Sequence, residues 1–407
     1  MNSRHLLATL VVAVAALTGV VCAQLVGPGP GVNGGGQATT IIPSTTTAPT
    51  GRPHGQGVAK PAAKPVPVDQ RLSQADLIAK VKPSVVRLAG REGGGSGVVV
   101  DAADGLVLTN AHVTFGNQGM RAQVGDDPAT ETAVRLVAAA PCDDLAVVEL
   151  VNKPARLRAI RFGDSSALKP GDHVTALGYP GSLAERQAGD TTSQPRQVVP
   201  TDGNVSVVGF TTAPGAGYPR LPSTILHQAF INPGNSGGPL VDDRGRLVGI
   251  NTLSRADTQG QFYSISADQA RKVLPALRAG HGQADLGWEL TSLEEADLPS
   301  AFAEDTELSA EGGAELGRRV VQNLERQQIE GLYVHDTEPD SPVEAASIFP
   351  GNLVTSIDDQ EVRSMQDVCE LVLAKRRGTT LKVSGYYLYS ADAADALQPW
   401  KVELAVT

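Results

Sequence analysis

Short apolar stretches separated by glycine and aspartate turns dominate residues 84–266, among them Val98-Val99-Val100, Gly105 to Leu108, and the run opened by Asp144 that continues through Leu150. Brief β-type runs with turn residues between them predict antiparallel strands closed into barrels, with any active site in the cleft between two barrels. From Ala267 to Ala279 the pattern changes to helical spacing and predicts a closing helix. Farther on, Leu316 to Gln328 reads as a charged helix.

The amino terminus follows other rules. Arg4 precedes an apolar run, Leu6 to Ala23, interrupted by Thr9, Thr18 and Gly19, and Val21-Cys22-Ala23 offers a small-residue cleavage site. That is the layout of an export signal. At 18 residues the run is also just long enough to span a bilayer, so a cleaved signal, a membrane anchor at 6–23 and lipidation at Cys22 are ranked in that order. Residues 24–71 are rich in Gly, Pro and Thr with almost no clustered apolar residues, so they cannot bury enough surface to fold and read as a tether.

Composition sharpens the domain picture. The 407 residues suggest two to three domains once the termini are set aside. Residues 1–280 hold 25 basic and 20 acidic side chains and residues 281–407 hold 9 and 24, a net +5 against −15. This asymmetry places a boundary near 280, giving segments 72–280 and 281–407, and argues against nucleic-acid binding by the acidic part. The seven histidines show no metal-ligand spacing, and no cofactor or metal is expected. Gly93-Gly94-Gly95-Ser96-Gly97 is not a phosphate cradle, because it enters a β-type run and lacks Lys-Ser or Lys-Thr. With Cys22 in the export run, only Cys142 and Cys369 remain. A disulfide framework is not expected, and Cys142 reads as a packed thiol.

Candidate chemistry centres on Asn232-Pro233-Gly234-Asn235-Ser236-Gly237-Gly238-Pro239. A serine in a glycine-rich turn can have backbone N–H groups aimed at a developing oxyanion, but its hydroxyl needs a base and an orienting carboxylate. His112 follows a β-type run, and Asp144 opens another. Asp143 stands beside Asp144 and either could be a plain turn residue; the acid at the strand entrance is preferred, because a rigid element can hold an imidazole in one tautomer.

Thr109-Asn110-Ala111-His112-Val113, Asp144-Leu145-Ala146-Val147-Val148 and Asn232 to Leu240 together resemble the trypsin-fold serine proteases of the HtrA (Deg) type. Fainter echoes run from Lys82-Pro83-Ser84 through Ala176-Leu177-Gly178-Tyr179-Pro180 to Leu247-Val248-Gly249-Ile250-Asn251. The resemblance implies a mostly β, chymotrypsin-like double six-stranded antiparallel β-barrel. His112 would be the base, Asp144 its orienter and Ser236 the nucleophile, with the N–H groups of Gly234 and Ser236, flanking Asn235, as oxyanion hole. It further implies an exported endopeptidase of the periplasm or cell envelope, acting on unfolded or peptide substrates as a homotrimer. The alternative is a catalytically silent peptide-binding or chaperone-like protein on the same scaffold.

Where that family usually has Thr-Asp-Ala-Ala, this chain has His227-Gln228-Ala229-Phe230. Phe230 is expected to floor the primary specificity pocket, with Tyr263, Ser264 and Ile265 as a wall, favouring a small or medium aliphatic residue. Gly331 to Val334, Ser341 to Ala346 and Pro350 to Asp358 resemble the PDZ modules that follow such catalytic domains, implying an α+β PDZ-like domain. Its peptide groove would lie between a strand carrying Leu286, Gly287, Trp288 and Leu290 and a helix at Val362 to Leu373, and would capture a peptide C-terminus, an activating one among the candidates, by strand addition. The stretch between Leu290 and Gly331 is longer than that family's and could cover the groove.

Overall fold

Among the described residues eighteen strands form three sheets, and the first two close on themselves. A computed structural model describes residues 71–406 apart from 91–92, 117–118, 182–196, 213–217, 255–259, 304–308 and 389–396. The export run at 6–23 and the tether at 24–71 therefore lie, but for Arg71, outside the described residues. No helix among them is long and apolar enough to cross a membrane.

Helix α1 (Gln74–Val81) enters the fold with Ser73 as N-cap, its side chain accepting the Asp76 N–H, and buries Leu77 and Val81. The first barrel comprises β1 (Val85–Ala89), β2 (Gly94–Asp101), β3 (Leu106–Thr109), β4 (Arg121–Val124), β5 (Thr132–Ala140) and β6 (Leu145–Leu150), closed in the order β1-β2-β3-β6-β5-β4. Between β3 and β4 sits one helical turn, α2 (Ala111–Thr114). The second barrel comprises β7 (His173–Gly178), β8 (Val199–Phe210), β9 (Thr224–His227), β10 (Pro239–Asp242), β11 (Leu247–Ser254) and β12 (Phe262–Ser266), closed as β10-β11-β12-β9-β8-β7. This is the expected double six-stranded antiparallel barrel.

The apolar runs legible in the sequence are the core strands: Leu145 to Val148 on β6 and Val98 and Val99 on β2 are essentially sealed. One buried cluster joins the barrels, packing Val98, Leu108 and Val147 of the first with Leu177, Leu247 and Ile265 of the second. Helix α3 (Ala267–Arg278) lies across both. Ser266 caps it through the Gln269 N–H, and Ala267, Ala270, Leu274 and Leu277 face inward at helical spacing. These residues pack against β5 and β6 on one side and β11 and β12 on the other.

The acidic C-terminal part builds its own sheet from β13 (Trp288–Ser292), β14 (Leu332–Thr337), β15 (Asn352–Ile357), β16 (Gln360–Glu361), β17 (Thr380–Tyr387) and β18 (Gln398–Ala405). Its order is β13-β14-β15-β17-β18, with β16 paired to β15. Between β13 and β14 come α4 (Leu293–Ala296), α5 (Leu298–Ala303) and α6 (Ala310–Gln327); α7 (Pro342–Ala345) and α8 (Met365–Leu373) follow. The charged helix read at Leu316 begins earlier, because Ser309 caps it and Gly313 and Gly317 extend its inner face. A Cβ at Gly313 would lie 2.0 Å from the Phe302 carbonyl oxygen, so α6 and α5 touch backbone to backbone. The helix read from Val362 starts at Met365, where Ser364 and Asp367 form a capping box.

Cys142 and Cys369 are joined by a disulfide across 227 residues of sequence. This corrects the packed-thiol reading. Cys142 lies in a 3-10 turn, Pro141–Asp143, and Cys369 in the buried face of α8, two places that no local pattern connects.

Candidate active site

Three elements of the first barrel bring His112 and Asp144 together. β3 ends at Thr109, Asn110 stays extended, and α2 turns His112 back over the barrel. On the neighbouring connection the Pro141–Asp143 turn sends Asp144 into the left-handed region (φ 48°), which short acidic side chains tolerate better than most. Asn110 locks the two segments by donating from Nδ2 to the Asp144 carbonyl at 2.9 Å. The Asp144 carboxylate, 4% exposed as a residue, then receives the His112 backbone N–H at 3.2 Å and faces His112 Nδ1 at 2.9 and 3.1 Å. Thr252 on β11 adds its hydroxyl to Asp144 Oδ2 at 2.5 Å. Asp143 turns away, accepting Gln269 and Gln283 side-chain amides.

Burial alone would lower the His112 pKa, but the Asp144 charge and hydrogen bond, with the charge of Glu289, outweigh it and hold the imidazole above its ordinary value. Such an imidazole accepts a proton readily. Its Nδ1 faces the carboxylate, leaving Nε2 as the basic face.

The Ser236 turn is built on Ser96. Ser96 donates its hydroxyl to the Gly234 carbonyl at 2.7 Å and its N–H to the Ser236 carbonyl at 2.8 Å, while the same hydroxyl accepts the Tyr179 N–H at 2.9 Å. Thr109 Oγ1 in turn fixes the Ser96 carbonyl. Gly234 and Gly237 have φ of +97° and +83°, and a Cβ on them would meet Tyr179 O at 2.4 Å and Ser96 O at 2.1 Å. Only glycine fits both places. The N–H groups of Asn235 and Gly238 are engaged in the turn and that of Gly237 reaches the Asn251 carbonyl on β11, whereas those of Gly234 and Ser236 meet no acceptor among the described residues. Two free donors flanking Asn235 make a pair able to receive an oxyanion. Ser236 Oγ donates to the Thr252 carbonyl at 3.2 Å, and no hydrogen bond joins it to His112 among the described residues. A hydroxyl is a rotor, and one step between staggered χ1 wells redirects it.

Residues 95–250 match the family of the trypsin-like peptidase domain. The chain carries a trypsin-like peptidase domain. It is 30% identical to a probable periplasmic serine protease do/HhoA-like of Haemophilus influenzae over 67% of this chain and 51% of that one. To serine protease HTRA1 of Xenopus tropicalis it is 31% identical over 75% of this chain and 62% of the relative. Among solved structures, the HtrA-type protease AlgW with tripeptide aligns at 26% identity and TM-score 0.44, covering 82% of this chain and 96% of that one. The chain thus spans between half and two thirds of the length of the two relatives.

Around the peptidase cleft the expected pocket residues separate. Phe230 is 53% exposed and packs edge-on to Phe262, ring centroids 4.8 Å apart. Tyr263 is half-buried against Phe210, while Ile265 is sealed in the core between the barrels. Ser264 is engaged in a buried chain that runs from His227 Nε2 through its hydroxyl to Asn251 Oδ1. Burial drives the His227 pKa down to about 3, so this second imidazole is neutral where the first is basic. Leu286, Trp288 and Leu290 point into the C-terminal core, and Gly287 takes φ +78° under Ser341. β13 forms the sheet edge, where a peptide strand could add.

Sequence reasoning did not find Thr252 or Ser96. Ser96 sat inside the glycine run weighed as a phosphate cradle, and Thr252 lies one residue past the Leu247-Val248-Gly249-Ile250-Asn251 echo. Polar residues sealed within apolar strands were the available signal.

Proposed function

We propose that this protein is an exported serine endopeptidase of the HtrA type that cuts misfolded or regulatory proteins through His112, Asp144 and Ser236. One observation carries the reading: an imidazole fixed through Nδ1 by a sealed carboxylate stands at the same cleft as a serine whose turn leaves two N–H groups without acceptors. In the reaction, Ser236 rotates from the Thr252 carbonyl toward His112 Nε2, which takes its proton as Oγ attacks the substrate carbonyl. Asp144, held by Thr252, stabilises the imidazolium, and the Gly234 and Ser236 N–H groups receive the oxyanion. His112 then protonates the leaving amine, and water repeats the cycle on the acyl-enzyme. Export is supported by Leu6 to Ala23 and by the periplasmic relative. A PDZ-like role for residues 281–407 and assembly as a homotrimer belong to the same reading.

Labelling of intact protein by an active-site serine phosphonate, lost in Ser236→Ala, together with casein cleavage, tests it. The second reading, a silent peptide-binding protein, draws on the resting bond from Ser236 to Thr252. It predicts no label in any condition, with and without added C-terminal peptides.

A further inference from the structure

We propose that the Cys142–Cys369 disulfide is a latch that seats the C-terminal sheet on the two loops carrying His112 and Asp144, so that this sheet positions the catalytic pair and hydrolysis depends on the bridged form. The proposal rests on the serine-peptidase reading above and deepens it.

Four observations converge. First, Cys142 is two residues from Asp144 and Cys369 lies on α8, so the bridge runs from the acid's own turn to the C-terminal sheet. Second, the segment between the two parts is fitted to the same turn: Gln283 donates its N–H to the Ala139 carbonyl at 2.9 Å, accepts the Cys142 N–H at 2.8 Å and donates to Asp143 Oδ2 at 2.6 Å. Third, the opposite flank is gripped as well. Glu338, beyond β14, accepts the Gly116 N–H at 2.8 Å, four residues past His112. Fourth, none of the buried apolar clusters among the described residues draws members from both sides of the seam; residues 72–277 and 284–406 supply separate cores. Two globular parts joined without a shared core separate readily, so the polar contacts on the catalytic loops depend on the covalent tie.

The seam also carries charge to the base. The ionisable groups acting on His112 are Asp144 from its own barrel and Glu289 from β13, and Glu289 is present only while the sheet is seated. Opening the latch needs a dithiol. A thiolate attacks the sulfur of half-buried Cys142, the S–S bond breaks to a mixed disulfide, and the second thiolate displaces it. Two electrons and two protons end on Cys142 and Cys369, and the dithiol leaves as its cyclic disulfide.

The test uses full-length protein, with dithiothreitol as the dithiol, alkylation and mass spectrometry to score the bridge, and phosphonate titration to count competent Ser236. Reduction, and separately Cys142→Ser with Cys369→Ser, should lower kcat by about tenfold with KM changed less than twofold, as loss of alignment does. Three further signs should accompany it: the acidic limb of the kcat/KM profile moves to lower pH as Glu289 withdraws, residues 279–285 become open to limited proteolysis, and reoxidation restores kcat only in the wild type. Equal or faster turnover in fully reduced protein overturns the latch while leaving the peptidase reading intact. Failure of both oxidised and reduced protein to label at Ser236 overturns the peptidase reading and the latch with it.

Discussion

The two halves of the cleft are prepared to different degrees. On the first barrel, the Asp144 carboxylate meets the His112 N–H and imidazole and the Thr252 hydroxyl, so imidazole and carboxylate have one arrangement. On the second barrel the backbone of the Ser236 turn is equally fixed, by Ser96 and by two glycines of positive φ, but the hydroxyl itself rests on Thr252. The contrast places the adjustable step in a single side-chain rotation. On the proposed reading, scaffold and base would be built before substrate arrives, and the Ser236 hydroxyl would turn to meet them.

The largest blow to this contrast should come from Gly234→Ala. The added methyl would lie 2.4 Å from Tyr179 O at φ +97°, forcing the peptide that carries one oxyanion donor out of place. Turnover should fall by roughly two to three orders of magnitude, as it does when one such donor is lost. Phosphonate labelling rates and steady-state turnover read it, and a near-normal rate would show that the turn is softer than described.

Next comes the shared support of both halves. Thr252→Val keeps the backbone carbonyl that holds Ser236 but removes the hydroxyl from Asp144 Oδ2. Loss of a hydrogen bond to a charged group, about 1.5–3 kcal/mol, should lower kcat/KM by roughly 10- to 100-fold and shift the acidic limb to higher pH, because a carboxylate stripped of a donor holds the imidazolium more strongly. An unchanged profile would make Thr252 a bystander.

Two imidazoles, one at the cleft and one sealed in the second barrel, give a smaller, pH-resolved test. His112 is raised, so kcat/KM should climb with pH through a midpoint above the ordinary histidine value of about 6.5. Its stabilising contribution is complete below that ordinary value and disappears as pH rises through the folded one. His227 runs the other way. Its folded pKa of about 3 means that its contribution is complete above about 6.5 and declines as pH falls from there toward 3. Thermal unfolding of His227→Gln should therefore show a flatter acid side than wild type, whereas an unchanged slope would assign acid sensitivity elsewhere. Ser73→Ala, far from the cleft, should cost about 1 kcal/mol by removing the α1 cap and leave turnover unaltered.

Much of the fold was legible because its signals are local. Asp- and Gly-bounded apolar runs gave the strands of both barrels, and the helix expected over 267–279 is α3. Within the candidate site, His112, Asp144 and the Ser236 turn were readable from short motifs, whereas the contacts of the two neighbouring acids, Asp144 with His112 and Asp143 with Gln269, come only with the fold. What escaped is long-range. Ser96 and Gly234 are 138 residues apart, Thr252 and Asp144 108, and Cys142 and Cys369 227. No periodicity encodes such meetings, which exist only after the barrels close. Phe230, expected on a pocket floor, stands half in water against Phe262, a contact that no local pattern encodes.

Helix α3 carries one more implication. Its inner face belongs at once to strands of both barrels, so it acts as a strut between them, opposite in effect to a hinge. Widening the gape at the front would peel Leu274 and Leu277 from their seats and wet apolar surface on both sides. The gap between the barrels therefore resists widening, and what enters it must be as narrow as a single extended segment of chain.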